Sequence, residues 1–201
     1  MRLTSFLLPA LAAASPVARQ VAPAEIATLV ASGPGCPSGS FEANIAPDGK
    51  SVTYGFNSYA VEIGPGASPS NREKYCDLTI GVRFPVGCST ATLRSTYHGF
   101  AQLGTGVTGT FQAQYNLSPG SLTSGANPAP AVISSAGFGG AGNVYTKVDS
   151  PVARVSVTNP NQRIVNFTVR SRIFLQSNNQ SSQGLLTDDD LSVEIVGQGT
   201  C

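Results

Sequence analysis

One histidine is the only side chain in this sequence whose ordinary pKa suits a general base near neutral pH. His98 lies in the segment 90–103, where polar and apolar residues alternate. A catalytic triad holds its histidine between a carboxylate and a nucleophile. The alternation gives His98 four neighbours, which are Arg94, Thr96, Phe100 and Gln112. None of them is acidic, so we predict an exposed structural histidine and no catalytic residue.

Carboxylates are the second source of acid–base chemistry, because glycoside hydrolysis uses two that face each other. The acidic residues are scattered, and only Asp188, Asp189 and Asp190 form a cluster. This run could bind Ca²⁺ through its oxygens, but its spacing is not that of an EF-hand loop. We expect an acidic, solvated turn, no metal site and no cofactor. The sequence also lacks the P-loop, G-x-S-x-G and H-E-x-x-H motifs.

Two consecutive predicted strands, 90–103 and 107–117, are expected to form a long hairpin. Only Gly104-Thr105-Gly106 separates them. A three-residue loop pairs Leu103 with Val107 and places apolar residues opposite apolar residues, whereas a two-residue turn would pair core positions with polar ones. The hairpin is therefore expected to have one apolar and one polar face.

The polar face of this hairpin is the candidate binding surface. Its register places His98 opposite Gln112 and Thr96 opposite Gln114. Hydroxyl, amide and guanidinium groups on a flat face can hydrogen-bond sugar hydroxyls or a partner protein. Aromatic rings for stacking are scarce there, and an ordinary solvated surface is the alternative interpretation. The candidate binding residues are Thr92, Arg94, Thr96, His98, Gln112 and Gln114.

Alternation with a period of two recurs along the chain and predicts short antiparallel strands. Segments 41–45 and 52–56 flank a Pro47-Asp48-Gly49-Lys50 turn and predict a hairpin. No window shows a sustained period of 3.6. We therefore predict an all-β fold, an antiparallel β-sandwich of the jelly-roll type. The other alternating segments are 78–84, 165–175 and 191–195.

Four cysteines, Cys36, Cys76, Cys88 and Cys201, predict two disulfides in a secreted chain. The extended segment 77–84 would hold Cys76 and Cys88 roughly 26 Å apart, at about 3.3 Å per residue. Bonded cysteines lie within about 7 Å of each other, so these two are not expected to pair. Two connectivities remain: Cys36–Cys76 with Cys88–Cys201, or Cys36–Cys88 with Cys76–Cys201.

Three N-x-S/T sequons predict N-glycosylation at Asn116, Asn166 and Asn179. Asn116 and Asn166 both fall on the polar faces of predicted strands, where a glycan would project into solvent. Their positions agree with the inside and outside faces that the alternation assigns.

The N-terminal segment 1–14 is typical of a secretory signal peptide, with Arg2 before an apolar run that ends in small residues. Cleavage is expected between residues 14 and 20. We predict that 15–35 is a propeptide or flexible arm and that a single domain spans 36–201. No other apolar run is long enough to span a bilayer, so the protein is expected outside the cell.

The charge composition argues against nucleic acid as a partner. Twelve basic and eleven acidic residues give a net charge of +1, and only 11% of residues are charged. Binding a polyanion requires a clustered basic surface, and the sequence shows no such cluster. The expected partner is a cell-wall glycan or an extracellular protein.

Six motifs in order along the chain resemble a known family. They are G-P-G-C-P-S-G-S at 33–40, D-G-K-S-V-T-Y-G-F at 48–56, the loop at 64–78, F-P-V-G at 84–87, Y-H-G-F-A-Q-L at 97–103 and G-V-T-G-T at 106–110. Over about residues 33–201 the chain resembles the secreted family catalogued as domain of unknown function 4360, abundant in filamentous fungi. Cys88 stands where the family usually has an aromatic residue. Because Cys36 and Cys76 match the family's cysteines, the resemblance implies Cys36–Cys76 and therefore Cys88–Cys201.

The resemblance implies a small, secreted, β-rich protein without an established activity, in a family discussed in terms of candidate effectors and surface proteins. We expect a non-enzymatic protein that binds glycan or protein at the cell wall or at a host interface. One alternative is a carbohydrate-active enzyme whose carboxylates converge from separate strands, and another is a structural wall component without a specific ligand. The positions of Glu42, Glu62, Asp77, Asp149 and Asp188–Asp190 relative to any groove discriminate between these hypotheses.

Overall fold

The computed structural model of the chain describes residues 23–86, 90–118, 128–157, 163–179 and 181–199. Within these ranges there are two short helical turns, a 3₁₀ turn at Pro69–Arg72 and α1 at Ser135–Phe138, and neither has the length to cross a membrane. The strands of the same ranges are β1 (Glu25–Ser32), β2 (Phe41–Ile45), β3 (Ser51–Phe56), β4 (Ala60–Ile63), β5 (Glu73–Arg83), β6 (Thr90–Leu103), β7 (Val107–Ser118), β8 (Ala131–Ser134), β9 (Asn143–Ser156), β10 (Ile164–Ser177), β11 (Gly184–Thr187) and β12 (Asp190–Gln198).

The strands form two antiparallel sheets. The five-stranded sheet has the order β1-β5-β10-β7-β8. The seven-stranded sheet has the order β2-β3-β12-β6-β11-β4, and β9 pairs with the remaining edge of β6. The predicted all-β, antiparallel class is confirmed, while the finer jelly-roll description stays a prediction.

The inward side chains of the two sheets meet in one hydrophobic core. Tyr97 of β6 and Phe111 of β7 come from different sheets, and their ring centroids lie 4.5 Å apart. The inward apolar side chains of β5, β6, β10 and β12 are likewise buried, so the alternation assigned the inner and outer faces of these strands correctly. Removing this apolar surface from water is the main force that holds the sheets together, at roughly 25 cal/mol per Å².

The predicted hairpin between residues 90–103 and 107–117 is wrong. β6 pairs with β9, β11 and β12, whereas β7 pairs with β8 and β10 in the other sheet. Gly104–Gly106 therefore carries the chain from one sheet to the other. Alternation shows which face of a strand is buried but does not show which strand it pairs with. Here the apolar faces of β6 and β7 pack against each other across the core instead of lying side by side.

The predicted hairpin between β2 and β3 is confirmed. The two strands pair antiparallel, with Phe41 opposite Phe56 and Ile45 opposite Val52. In the connecting turn, the carboxylate of Asp48 accepts a hydrogen bond from the Lys50 backbone N–H at 3.0 Å. Gly49 has a φ of +68°, a left-handed conformation that a residue without a Cβ adopts at little cost.

The sheet begins before Cys36, which corrects the expectation of a propeptide or flexible arm for residues 23–35, while residues 15–22 lie outside the described part of the chain. Residues 25–32 of that segment are β1, which pairs antiparallel with β5. Ile26 and Ala24 are buried against the core. The pairing contains an irregularity between Ile26 and Thr28. A shift of one residue reverses the faces of a strand, which explains why this segment shows no clear period in the sequence.

Cys36 and Cys76 form a disulfide, with their Cα atoms 5.5 Å apart. This is the pairing that the family resemblance implied. It joins the loop after β1 to the first half of β5, and both cysteines are fully buried. Cys88 and Cys201 lie outside the described residues, so the described part of the chain contains one disulfide, and the second stays a prediction.

Candidate functional site

The six predicted binding residues do not share one surface. Thr92, Arg94, Thr96 and His98 lie on the outer face of the seven-stranded sheet, because they belong to β6. Gln112 and Gln114 belong to β7 and lie on the outer face of the five-stranded sheet. The two groups are therefore on opposite sides of the sandwich, and the structure does not bring them together.

His98 is exposed, as expected, but it does have an acidic neighbour. Asp190 lies opposite His98 in the β6–β12 pair, and His98 Nδ1 is 2.8 Å from Asp190 Oδ1. The expectation that no acid lies beside His98 is therefore wrong, since it depended on the hairpin. Both side chains are more than one-third exposed. Among the described residues, no hydroxyl or thiol hydrogen-bonds the imidazole, so a nucleophile is missing from this pair.

Arg94 also has a partner on β12. Its Nε donates to Glu194 Oε2 at 3.1 Å, and its Nη2 contacts the same oxygen. The side chains of these two pairs contact each other on the outer face of the seven-stranded sheet. Thr53 and Ser192 do the same through a 2.9 Å hydrogen bond. Three depressions on the described part of the surface, of about 640, 330 and 680 Å³, are lined by other residues than Thr92, Arg94, Thr96 and His98.

The outer face of the five-stranded sheet contains a more organised site, which we call the arginine face. Two arginines project from β10, the central strand, and each is held by a carboxylate on β5. Arg170 donates two parallel hydrogen bonds to Asp77, both 2.6 Å long. Arg172 donates two to Glu73, both 2.7 Å long. Paired bonds of this kind fix the plane of each guanidinium group.

Aromatic rings lie beside both guanidinium groups of the arginine face. The Arg170 guanidinium is 5.0 Å from the centre of the Tyr75 ring, and that of Arg172 is 4.6 Å from the centre of the Phe174 ring. Such contacts are typical of cation–π interactions. Tyr75 is 38% exposed, so its ring is available to a ligand as well as to Arg170.

Gln112 and Gln114 complete the arginine face from β7. The register places Gln114 opposite Arg170 and Gln112 opposite Arg172. Two adjoining depressions result, of about 330 Å³ and about 680 Å³, and both are lined by Gln114 and Arg170. The smaller is lined also by Glu73, Tyr75, Gln112 and Arg172. The larger is lined also by Asp77, Thr79, Tyr115, Asn116 and Thr168.

The charges of the arginine face are matched one to one. The hydrogen bond from Arg172 lowers the pKa of the Glu73 carboxyl, and the Asp77 and Glu73 carboxylates raise the pKa values of Arg170 and Arg172. The arginine face therefore contains two guanidinium groups and two carboxylates, so two positive charges balance two negative ones. The face offers directed hydrogen-bonding groups without a large net charge.

Tyr75, Arg170 and Arg172 were not predicted as site residues from the sequence. The sequence does contain a signal for this site. β10 has two arginines separated by one residue, and β5 has two acids separated by three residues. Oppositely charged cross-strand pairs stabilise neighbouring strands, so this pattern is typical of adjacent strands. The site could not be predicted from this pattern without knowing that β5 and β10 are neighbours.

The remaining carboxylates do not converge. Asp149 is buried inside the sandwich, where it contacts Lys147 Nζ and accepts a 2.6 Å hydrogen bond from the Tyr115 hydroxyl. Glu62 accepts a 2.8 Å hydrogen bond from Asn71 in a loop depression of about 640 Å³. Each of these three depressions is lined by one carboxylate, which is not the facing pair that hydrolysis needs.

The acidic run 188–190 is divided between three environments. Asp188 is buried, and neither of its carboxylate oxygens has a hydrogen-bond partner within the described ranges. Burial raises its pKa well above the ordinary value, and the charges of Asp189 and Asp190 add to the rise. Asp189 is exposed and Asp190 contacts His98. In the residues that the structure describes, no group of three metal-binding side chains occurs.

Comparison with known proteins gives one relative from a fungus. An uncharacterized secreted protein of Arthroderma benhamiae is 26% identical over 159 residues, which is 79% of this chain. The chain spans 62% of that relative's length.

Three solved structures align with most of the chain but with low TM-scores. TmCBM61 in complex with β-1,4-galactotriose has a TM-score of 0.26 and 11% identity, covering 84% of this chain and 89% of its own. A CBM4 structure has a TM-score of 0.22 and 11% identity, and the alignment covers 82% of this chain and 81% of that one. The enzymatically active domain of tailspike protein 4 from bacteriophage CBA120 has a TM-score of 0.23 and 14% identity. That alignment covers 81% of this chain and 19% of the tailspike chain. At these TM-scores the similarity establishes neither the fold nor the function of this chain.

Family membership follows from a match over nearly the whole described domain. The model of a domain of unknown function matches residues 22–199, from just before β1 to just after β12. The matched region contains the disulfide, both sheets and the arginine face. This chain belongs to the DUF4360 family.

Proposed function

We propose that the protein acts outside the cell as a non-catalytic binding protein, and that the arginine face binds a glycan chain. The observation that carries this proposal is the double clamp of Arg170 and Arg172 by Asp77 and Glu73, beside the exposed ring of Tyr75. The clamp holds planar hydrogen-bond donors in place before any ligand arrives. Preorganisation of this kind lowers the entropic cost of binding.

The chemistry of the arginine face suits sugar hydroxyls. A guanidinium group has five N–H donors, and each clamp uses only two of them. The amides of Gln112 and Gln114 both donate and accept, as hydroxyl groups do. The rings of Tyr75 and Phe174 add apolar surface in the same rows. Side chains of one face recur about every 6.6 Å along a strand, so a linear ligand along β10 would meet successive rows of the same chemistry.

The charge balance favours a neutral glycan over an anionic one. Arg170 and Arg172 are each neutralised by a carboxylate, so an acidic polysaccharide would meet two carboxylates as well as two arginines. The chain as a whole has a net charge of +1 and no basic cluster. A polyanion ligand requires an excess of clustered basic groups, which the arginine face does not have.

Action outside the cell is supported by three independent features. The relative from Arthroderma benhamiae is described as secreted. The Cys36–Cys76 disulfide is typical of oxidising compartments. Residues 1–14 have the pattern of a signal peptide. An enzymatic function has less support, because the described depressions do not place two carboxylates opposite each other.

Calorimetric titration of the mature protein tests the proposal. The probes are neutral hexasaccharides of β-1,3-glucan, β-1,4-glucan, β-1,4-galactan and chitin, with polygalacturonate as the anionic comparison. The variant Gln112→Ala/Gln114→Ala removes two amides from the arginine face. Its matched control, Thr92→Ala/Thr96→Ala, removes two hydroxyls from the opposite sheet.

We expect at least one neutral hexasaccharide to bind. The glutamine variant should weaken that binding about tenfold, since two hydrogen bonds contribute about 1.4 kcal/mol or more together, and the threonine variant should leave it unchanged. Absence of binding to every neutral probe, or equal weakening by both variants, would overturn the proposal. Binding of an extracellular protein to the arginine face in place of sugars would reassign the ligand class.

A further inference from the structure

Two of the three sequons converge on one end of the arginine face, although fifty residues of sequence separate them. Asn116 is on β7 and Asn166 is on β10, and these strands are neighbours. The register pairs Asn116 with Thr168 and Asn166 with Ser118. The two asparagines are therefore diagonal neighbours on one face, at a distance of roughly 7–8 Å for such pairs.

Both asparagines are available for modification. Their side chains are exposed, and no described residue hydrogen-bonds either amide. The third sequon differs in its position and in its hydrogen bonding. Asn179 follows the end of β10, outside the arginine face, and its Oδ1 accepts a 3.0 Å hydrogen bond from the Ser181 backbone N–H. Asn179 therefore provides an internal control.

A glycan on Asn116 would start inside the candidate site. Asn116 lines the larger depression together with Thr79 and Thr168, and this depression shares Gln114 and Arg170 with the smaller one. The attached sugars would cover the end of the arginine face where Thr79 and Thr168 lie, which we call the threonine end. The end formed by Glu73, Tyr75 and Arg172 would stay open, because it lies two rows further along β10.

We propose that N-linked glycans at Asn116 and Asn166 close the threonine end of the arginine face and so limit the length of the glycan chain that it binds. In the modification, Asn Nδ2 bonds to the anomeric carbon of an oligosaccharide carried on a lipid diphosphate. Nδ2 loses one proton, and the lipid diphosphate leaves. The inference rests on the proposed function, since it concerns access to the same face.

The test compares glycosylated and unglycosylated forms of the full secreted chain. Glycopeptide mass spectrometry of protein from a fungal host measures occupancy at the three sequons. Calorimetry then compares the glycosylated wild type, wild type trimmed to one N-acetylglucosamine by an endoglycosidase, and Asn179→Gln, with a disaccharide and a hexasaccharide of the neutral glycan that binds. Ser118→Ala removes the Asn116 sequon alone and keeps the Asn116 side chain that lines the larger depression.

We expect occupancy at Asn116, Asn166 or both. Removal of these glycans should strengthen hexasaccharide binding about tenfold, the effect of regaining two hydrogen bonds, and should leave disaccharide binding unchanged. Asn179→Gln should bind as wild type does. Empty Asn116 and Asn166, or equal hexasaccharide affinity with and without their glycans, would overturn this inference while the proposed function stands. Absence of sugar binding in every form would overturn both.

Discussion

Arg172 of β10 donates two parallel 2.7 Å hydrogen bonds to Glu73 of β5, while its guanidinium group lies 4.6 Å from the centre of the Phe174 ring. The guanidinium is thereby held on two sides, by a carboxylate and by a ring. Neither contact is buried, so the arrangement contributes little to folding stability. Its significance lies in holding a polar group in one orientation on an exposed face.

Replacing Arg172 by lysine should therefore separate binding from stability. A lysine ammonium can form neither the two parallel hydrogen bonds nor the planar stacking of a guanidinium group. We expect Arg172→Lys to weaken binding of a neutral hexasaccharide about tenfold and to change the thermal unfolding midpoint by no more than about 2 °C. Calorimetric titration and thermal unfolding measure the two effects.

The matched control for this substitution is Arg94→Lys. Arg94 is also paired with a carboxylate, Glu194, but it lies on the opposite sheet. We expect this variant to bind the hexasaccharide as wild type does. If the two lysine variants weaken binding equally, the arginine face has no special role in recognition.

The buried carboxylate of Asp188 predicts a stability that falls as pH rises. Its pKa in the folded protein is raised by burial, whereas in the unfolded chain it is about 3.9. Below that value both states are protonated. Above it, unfolding releases a proton, so the folded state loses about 1.4 kcal/mol per pH unit from this group until the folded-state pKa is reached.

Urea unfolding of wild type and Asp188→Asn between pH 4 and pH 8 isolates this effect. We expect the variant to gain stability relative to wild type as pH rises, since asparagine cannot ionise. Asp189→Asn, which changes the exposed neighbour, should shift the pH dependence much less. A constant difference between wild type and Asp188→Asn at all pH values would show that Asp188 does not carry a raised pKa.

The inner and outer faces of the strands could be predicted from the sequence because burial follows the two-residue period. Tyr97 and Leu93 are inside and His98 is outside, as the alternation of β6 requires. The strand partners could not be predicted in this way, because pairing depends on contacts between remote segments. His98 therefore acquired an unexpected neighbour in Asp190, ninety-two residues away.

The arginine face shows the same limit. Gln112 and Gln114 were selected as polar residues on the outer face of a strand, and that placement is confirmed. Their actual neighbours are Arg170 and Arg172, not His98 and Thr96, since β7 pairs with β10. Tyr75 becomes part of the face only because β5 lies on the other side of β10. Three strands that are remote in sequence build the site, and a local pattern cannot reveal their order.

The disulfide between Cys36 and Cys76 should contribute substantially to stability. It closes a loop with a sequence separation of 40 residues, and the chain-entropy relation gives about 4 kcal/mol for a loop of that length. We expect Cys36→Ser/Cys76→Ser to lose about that amount in urea unfolding. A loss below about 1 kcal/mol would show that the bond does not restrict the unfolded chain as the relation assumes.

Peptide mapping without reduction tests the second predicted disulfide, Cys88–Cys201. We expect a peptide that joins these two cysteines and no free thiol after denaturation. Free thiols at Cys88 and Cys201, or a peptide that joins either of them to another partner, would contradict the prediction. The mapping also provides a check on Cys36–Cys76 in the same digest.

The buried pair of Lys147 and Asp149 should be stabilising only as a pair. Lys147 is 8% and Asp149 5% exposed, and the ammonium lies over the rings of Tyr97 and Phe111. Removing one partner of a buried pair leaves an uncompensated charge, at a cost of about 3–5 kcal/mol. We therefore expect Lys147→Met to lose stability of that order in urea unfolding at pH 7.

The double variant Lys147→Met/Asp149→Asn removes both charges and keeps an oxygen that can accept the hydrogen bond of the Tyr115 hydroxyl. Since no charge is then left unpaired, we expect it to recover most of the stability that the single variant loses. A double variant no more stable than Lys147→Met would show that packing of the lysine chain, and not charge compensation, stabilises this region. The recovered fraction therefore distinguishes the electrostatic from the packing contribution of Lys147.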